Sequence, residues 1–216
     1  MPGRQESVLE ESPVTSCMMV FPLRRSDVSS ASLRHIPAGS VPVLVAHMWK
    51  LGLLFAHVVP HKGGSHRQVV AQLVKDLVRC GFNGKVILRG DQEPAVEDLL
   101  REVARYRGEA ETVIEFSPVR DSQSNGLGEK GVQILEGLVR THLLELDEKL
   151  ECQLPLSLPW FSWLVEYCAD VHCRHQLGND GKTPWQRLKG RKCHGYIQEF
   201  ARRVLHRSIA GRCDAA

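Results

Sequence analysis

The 216-residue chain has no paired cysteines in its pattern. Cys17, Cys80, Cys152, Cys168, Cys173, Cys193 and Cys213 are odd in number and scattered. That excludes a disulfide framework and predicts reduced thiols in an intracellular compartment. The first 13 residues lack an apolar run and carry Glu6, Glu10 and Glu11, so no secretory signal is expected. Long hydrophobic runs are missing as well. The nearest to one, residues 41–60, is interrupted by Pro42, His47, Lys50, Gly52 and His57. Its Trp-Lys-Leu-Gly centre predicts a turn, so a buried hairpin is expected and a membrane partner is not. Nor is one sign of charge in excess, the net being +3. The basic residues are instead concentrated. Residues 182–207 hold eight Lys or Arg against Glu199 alone, which suits phosphate contact and equally suits a solvated tail.

What is present is the composition of an ordinary globular domain, 43% hydrophobic and 25% charged, large enough to bury a core. Short apolar runs at residues 14–21, 43–47 and 53–59 read as strands, the last two pairing antiparallel. The period then changes. Ser65 and Gln68 form a capping box before Val69, Val70, Leu73, Val74 and Leu77, which recur at helical spacing until Gly81. A strand at 85–88, a helix at 93–107 with Val96, Leu99, Leu100 and Val103 inward, and a strand at 112–116 follow. A longer helix is expected after Asn125-Gly126, with Val132, Leu135, Val139, Leu143 and Leu146 as its apolar stripe. Glu129 falls about 80° from the middle of that stripe, with Gln133, Glu136 and Arg140 near the same line. Residues 157–174 predict another helix around Trp160, Trp163, Leu164 and Tyr167, and Thr183-Pro184 starts a last short one. This order predicts an α/β protein with a mixed five-stranded sheet, strands 1–3 antiparallel and the later strands reached by parallel crossovers, flanked by helices. Flavodoxin-like and ribonuclease H-like layouts both satisfy it. The expected organisation is a disordered tail over 1–13, a core over 14–178, and a short helix with a basic C-terminal tail over 179–216.

Asp91 follows a buried strand directly, where open α/β sheets present ligand-binding groups. Glu129 stands in the first turns of a helix packed on that sheet. Two such carboxylates suit a shared Mg²⁺, a hard ion that takes oxygen ligands. The surrounding words sharpen this. Arg89-Gly90-Asp91-Gln92-Glu93-Pro94-Ala95 resembles the "Asp-Gly-Glu-Pro-Ala" word of integrases from long-terminal-repeat retrotransposons. Asp121-Ser122-Gln123-Ser124-Asn125-Gly126, followed by Glu129 and Val132-Gln133, is similar to their "Ser-Gln-x-Asn-Gly-x-x-Glu" word. Gly181-Lys182-Thr183-Pro184-Trp185-Gln186-Arg187-Leu188-Lys189-Gly190-Arg191-Lys192 resembles the segment that closes their catalytic domain, and Val58-Val59-Pro60-His61-Lys62-Gly63 the end of its third strand.

The resemblance implies a ribonuclease H-like core that joins element DNA to target DNA in the nucleus with Mg²⁺ or Mn²⁺, with self-association as a further expectation. It assigns Asp91 and Glu129 to the second and third acids of an Asp-Asp-Glu triad, as both catalytic residues and metal ligands. The first acid belongs on strand one, in a word like "Met-Asp-Tyr-x-Phe". Here that strand reads Ser16-Cys17-Met18-Met19-Val20-Phe21, so Met18 or Met19 stands where the Asp is expected, and Asp27 is the nearest later acid. A thioether is a poor Mg²⁺ ligand, so an inactive, degenerate copy is expected. Gln92 in place of the family's Gly, the apolar turn after His47, and the lack of a preceding His-His-Cys-Cys module agree with that expectation. Gln133, Arg140, Lys182, Arg187, Lys189, Arg191 and Lys192 are the candidate nucleic-acid contacts. The alternative is a non-catalytic nucleic-acid-binding remnant of the same fold. Cys168, His172, Cys173 and His175 suggest zinc by residue type but lack a second separated pair, so helix-face roles are favoured. Trp160, Trp163 and Tyr167, at helical spacing, are read as core rather than as base-stacking residues, and Ser122 and Asn125 as the turn entering the helix.

Overall fold

The computed structural model describes residues 14–23, 41–59, 67–107, 112–116, 122–195 and 197–202, of which 14–23, 122–125 and 127 by backbone alone. Three strands come first, β1 (Val14–Leu23), β2 (Val41–Met48) and β3 (Leu53–Val58). Then follow α1 (Arg67–Arg79), β4 (Val86–Gly90), α2 (Pro94–Tyr106), β5 (Thr112–Phe116), α3 (Ser122–Leu150), α4 (Trp160–His175) and α5 (Pro184–Lys189). The strands form one sheet in the order β3-β2-β1-β4-β5. The β1–β2 and β2–β3 pairs are antiparallel, and β1–β4 and β4–β5 are parallel. The apolar stretch at 41–59 is therefore a hairpin, closed where the Gly52 N–H donates to the Met48 carbonyl at 2.7 Å. No described helix is long and apolar enough to cross a membrane.

Val132, Leu135, Val139, Leu143 and Leu146 are all buried, so α3 packs by the stripe its sequence carries. The inner faces of α1 and α2 are likewise the residues their periodicity selects, with Asp76 added to the buried face of α1. Boundaries differ most at α3, α4 and β1. The helix α3 starts at Ser122, so Ser122, Asn125 and Gly126 lie in its first turns rather than in an entry turn. Their low propensity, about 1 kcal/mol for Gly, is outweighed by the tertiary packing of the rest of the helix. Helix α4 starts at Trp160, after a turn in which the Leu158 N–H donates to the Pro155 carbonyl. Strand β1 runs through Pro22, which pairs with Pro42. The Pro42 carbonyl accepts from Val59, so Pro42 faces β3. Opposed residues of an antiparallel pair share one hydrogen-bonding state, so Pro22 faces away from β2, where β4 has already ended, and neither ring interrupts the β1–β2 ladder.

In α4 the buried face is Phe161, Leu164, Val165, Cys168, Ala169, His172 and Cys173. Trp163, read above as core, is 67% exposed, and Trp160 and Tyr167 are half-buried. The expected cap at Ser65, the loop at 24–40, Pro60 to Gly63, the strand stop at Ser117-Pro118, Asp121, and both tails (1–13 and 203–216) lie outside the described residues.

Candidate active site at the end of the parallel strands

Asp91 leaves β4 directly and is half-buried; its Oδ1 accepts from the Glu93 N–H at 3.4 Å, in the turn that Pro94 closes into α2. Gly90 sets the position of that turn. A Cβ there would lie 2.8 Å from Val96 Cγ1 and 2.9 Å from Leu100 Cδ1, so only glycine lets α2 come this close to the strand end.

A second glycine sets the height of α3. A Cβ on Gly131 would lie 2.8 Å from the His47 Cβ, so α3 crosses β2 in near-backbone contact there. His47 is in register with Cys17, and Cys17 with Arg89. The turn carrying Glu129, which is exposed, thus belongs to a helix seated on the same row of strands that ends just short of Asp91.

The register separates the two methionines. Met18 pairs with Ala46 and with Gly90, and the Gly90 position faces α2. Position 19 is in the opposite phase, paired with Val45 and in phase with His47, the position that faces α3. The parallel ladder ends at Met18–Gly90, one residue before position 19 on β1 and before Asp91 on β4.

Next to this edge Arg89 donates to Glu115 Oε2 from Nε at 3.3 Å and from Nη2 at 2.7 Å, a cross-strand pair the sequence reading did not anticipate. Of the three acids that the resemblance implies, the sequence supplies Asp91 and Glu129, and residues 18 and 19 are both methionine. Mg²⁺ demands near-octahedral oxygen ligation, Mn²⁺ is likewise served by carboxylate, carbonyl and water oxygens, and sulfur ligands suit softer ions. These residues do not fit the two-ion site that the resemblance implies. Among the described residues, no group of three or more His, Cys, Asp or Glu is placed to hold a metal ion.

The candidate nucleic-acid residues separate into two sets. Gln133 and Arg140 are exposed on α3, and Lys182, Lys189, Arg191 and Lys192 are exposed around α5. Arg187 is half-buried and structural: it donates to the Leu51 carbonyl from Nη1 at 2.9 Å and to Asp180 from Nη2 at 2.6 Å, holding that carboxyl well below its usual range. It docks α5 on the β2–β3 turn. The Cys168 and Cys173 thiols are each pushed up to about 12 by burial, and Cys173 bonds the backbone of Leu54. His172 donates to the Gly52 carbonyl from Nε2, and burial lowers its pKa. These are helix-face roles, as the missing second pair suggested.

Sequence reasoning missed His57. Its Nε2 lies 2.7 Å from Asp76 and its Nδ1 3.4 Å from Glu166, so an imidazolium joins β3 to α1 and α4. Burial opposes its charge, but the hydrogen bonds to the two carboxylates outweigh that and raise it to about 9. The available signal was a polar residue inside each of two apolar patterns, His57 among residues 53–59 and Asp76 beside Leu73 and Leu77. A cavity of about 620 Å³ opens beside this cluster, between β3, α1, α4 and α5, and away from Asp91 and Glu129.

No family model matches the chain and no curated protein matches it. Solved structures do. The catalytic core domain of BIV integrase is similar at 15% identity and a TM-score of 0.51, over 82% of this chain and 94% of that one. The HTLV-2 integrase catalytic core domain, solved in complex with magnesium, is similar at 14% identity and a TM-score of 0.54, over 82% and 97%. A simian T-cell lymphotropic virus intasome chain gives 14% identity and a TM-score of 0.56 over 90% of this chain, which spans 60% of that one. The fold is that of an integrase catalytic core, ribonuclease H-like, and these identities carry no more than the fold.

Proposed function

We propose that the chain is the catalytic core of a long-terminal-repeat retrotransposon integrase that still binds nucleic acid and has lost strand transfer. Four motif words in family order support the retrotransposon origin, and the fold agrees with them. The observation that supports the loss is the register of β1 on β4, which closes on the pair Met18–Gly90, one residue before Met19 on one strand and Asp91 on the other. With a thioether there, the fixed charge that phosphodiester chemistry requires at the attacking and leaving oxygens is not assembled. What this chain's own residues supply is phosphate contact, from Lys182, Lys189, Arg191 and Lys192 around α5 and from Gln133 and Arg140 on α3. Element-end and target DNA in the nucleus are the partners in this reading, with a second copy of the chain beside them.

The purified protein, given element-end DNA with Mg²⁺ or Mn²⁺, should form no joined product, and Met19→Asp should be the single change able to restore any. Joining by the unaltered chain that Asp91→Asn abolishes would overturn the loss and point to another acid, such as Asp27. For nucleic acid, duplex affinity should fall steeply with salt and show little sequence preference. Replacing Lys182, Arg191 and Lys192 with Gln should flatten that slope; an unchanged slope would remove these residues from the interface.

A further inference from the structure

We infer that residues 197–202 are a strap, latched onto α3 and α4 by the Lys149–Glu199 ion pair and released when a polyanion takes Lys149. Phe200 is its apolar anchor: half-buried, it packs against the core, with its ring 5.3 Å from that of Tyr167 on α4. The Tyr167 hydroxyl donates to the Gln198 carbonyl at 3.0 Å, and its ring meets His142 of α3 edge-on at 5.3 Å. Glu199 accepts from Lys149 of α3, which also donates to Glu145 at 3.0 Å. The strap therefore touches both helices. Its turn closes where the Arg202 N–H donates to the Glu199 carbonyl at 3.2 Å, and Ala201 holds a left-handed φ of 61° there. A residue with a side chain is strained at that φ, so the closed form persists only while its contacts outweigh the strain.

The latch is placed where it can yield. The side chains of Lys149 and Glu199 are 44% and 45% exposed, whereas those of the His57–Asp76 pair are 9% and 10% exposed. Ions reach an exposed pair and screen it, so it holds weakly and a competing charge displaces it. Packing under the strap is incomplete as well, with a cavity of about 300 Å³ between it and Asp170, Arg174 and His175 of α4. The sequence supplies the attraction for a competitor. Glu199 is the lone acid among residues 182–207, and Arg202, Arg203 and Arg207 follow it. A phosphate backbone drawn to this run also attracts Lys149 and repels Glu199. The one acid that opposes phosphate is thus the group that shuts the strap. The inference rests on the phosphate-binding reading of the basic segment and says how access to that segment is regulated.

The test is amide hydrogen exchange of residues 198–202 in the full chain. Lys149→Gln and Glu199→Gln should each speed exchange of the Arg202 amide by about two- to fivefold, the range an exposed ion pair allows. Lys149→Arg should keep the closed rate. Raising NaCl should speed exchange in the unaltered chain and leave both Gln variants unmoved. Duplex DNA at low salt should act as NaCl does, and so should tripolyphosphate, a polyanion without bases. Exchange in Lys149→Gln equal to that of the unaltered chain would overturn the latch. A duplex that binds by fluorescence anisotropy without speeding exchange would overturn release by a polyanion and leave the phosphate-binding reading standing. If the duplex does not bind, that reading fails and tripolyphosphate decides the strap: faster exchange supports it, unchanged exchange overturns it.

Discussion

The two edges of interest in this sheet are built differently. At the outer edge, β3 is tied to its neighbours by specific polar bonds. The Cys173 thiol accepts from the Leu54 N–H at 3.2 Å and donates to the Leu54 carbonyl at 3.3 Å, so α4 satisfies both groups of an edge-strand residue. His57 clamps β3 to α1 and α4, and Arg187 pins the β2–β3 turn to α5. At the Asp91 end, position is set by close approach, through Gly90 against α2 and Gly131 against β2. The first edge is held by side-chain bonds, the second by close backbone approach.

Substitutions at the two edges should separate these roles. His57→Ala should have the largest effect, because it leaves the Asp76 carboxylate buried without its cation, a loss of about 3–5 kcal/mol by urea denaturation. A cost below about 1 kcal/mol would mean that the clamp is not what holds this edge. The same group gives a pH dependence. Its pKa is raised on folding from 6.5 to about 9, so its contribution is complete below pH 6.5 and is lost as pH rises through 9. Stability should fall over that window by about 3 kcal/mol, and the fall should vanish in His57→Ala.

Cys173→Val should come next, at about 1–3 kcal/mol, since the buried Leu54 N–H and carbonyl lose their partner while the volume is nearly kept. An effect confined to thermal midpoint with no added exchange of the Leu54 amide would contradict the bond's role. Gly131→Ala sets a helix gain of about 1 kcal/mol against a clash with the His47 Cβ, and a net loss of about 1–2 kcal/mol is expected. Net stabilisation would show that α3 can lift off β2. Glu129→Gln should change stability by less than about 0.5 kcal/mol, as the side chain is exposed. A large loss there would make Glu129 part of the scaffold and erase the contrast between the two edges.

Much of the scaffold could be read along the chain. The buried stripe of α3, the inner faces of α1 and α2, the hairpin turn before Gly52, and the Thr183 cap, which accepts from the Gln186 N–H, all follow from local periodicity and local hydrogen-bond chemistry. Asp91 and Glu129 could be singled out because their neighbours form words that a chain can spell within a dozen residues. The choice between Met18 and Met19 could not be made this way. Both lie on one strand, and a shift of one residue exchanges the faces, so only pairing with β2 and β4 puts position 19 in phase with His47 and position 18 against Gly90. The exposure of Trp163 and the burial of His57 and Asp76 were likewise decided in three dimensions. Helical spacing tells which residues share a face, but which face meets the core depends on elements more than 80 residues away, such as β3 under α4. Sequence determined the parts and the candidate acids; packing decided which of them stand together.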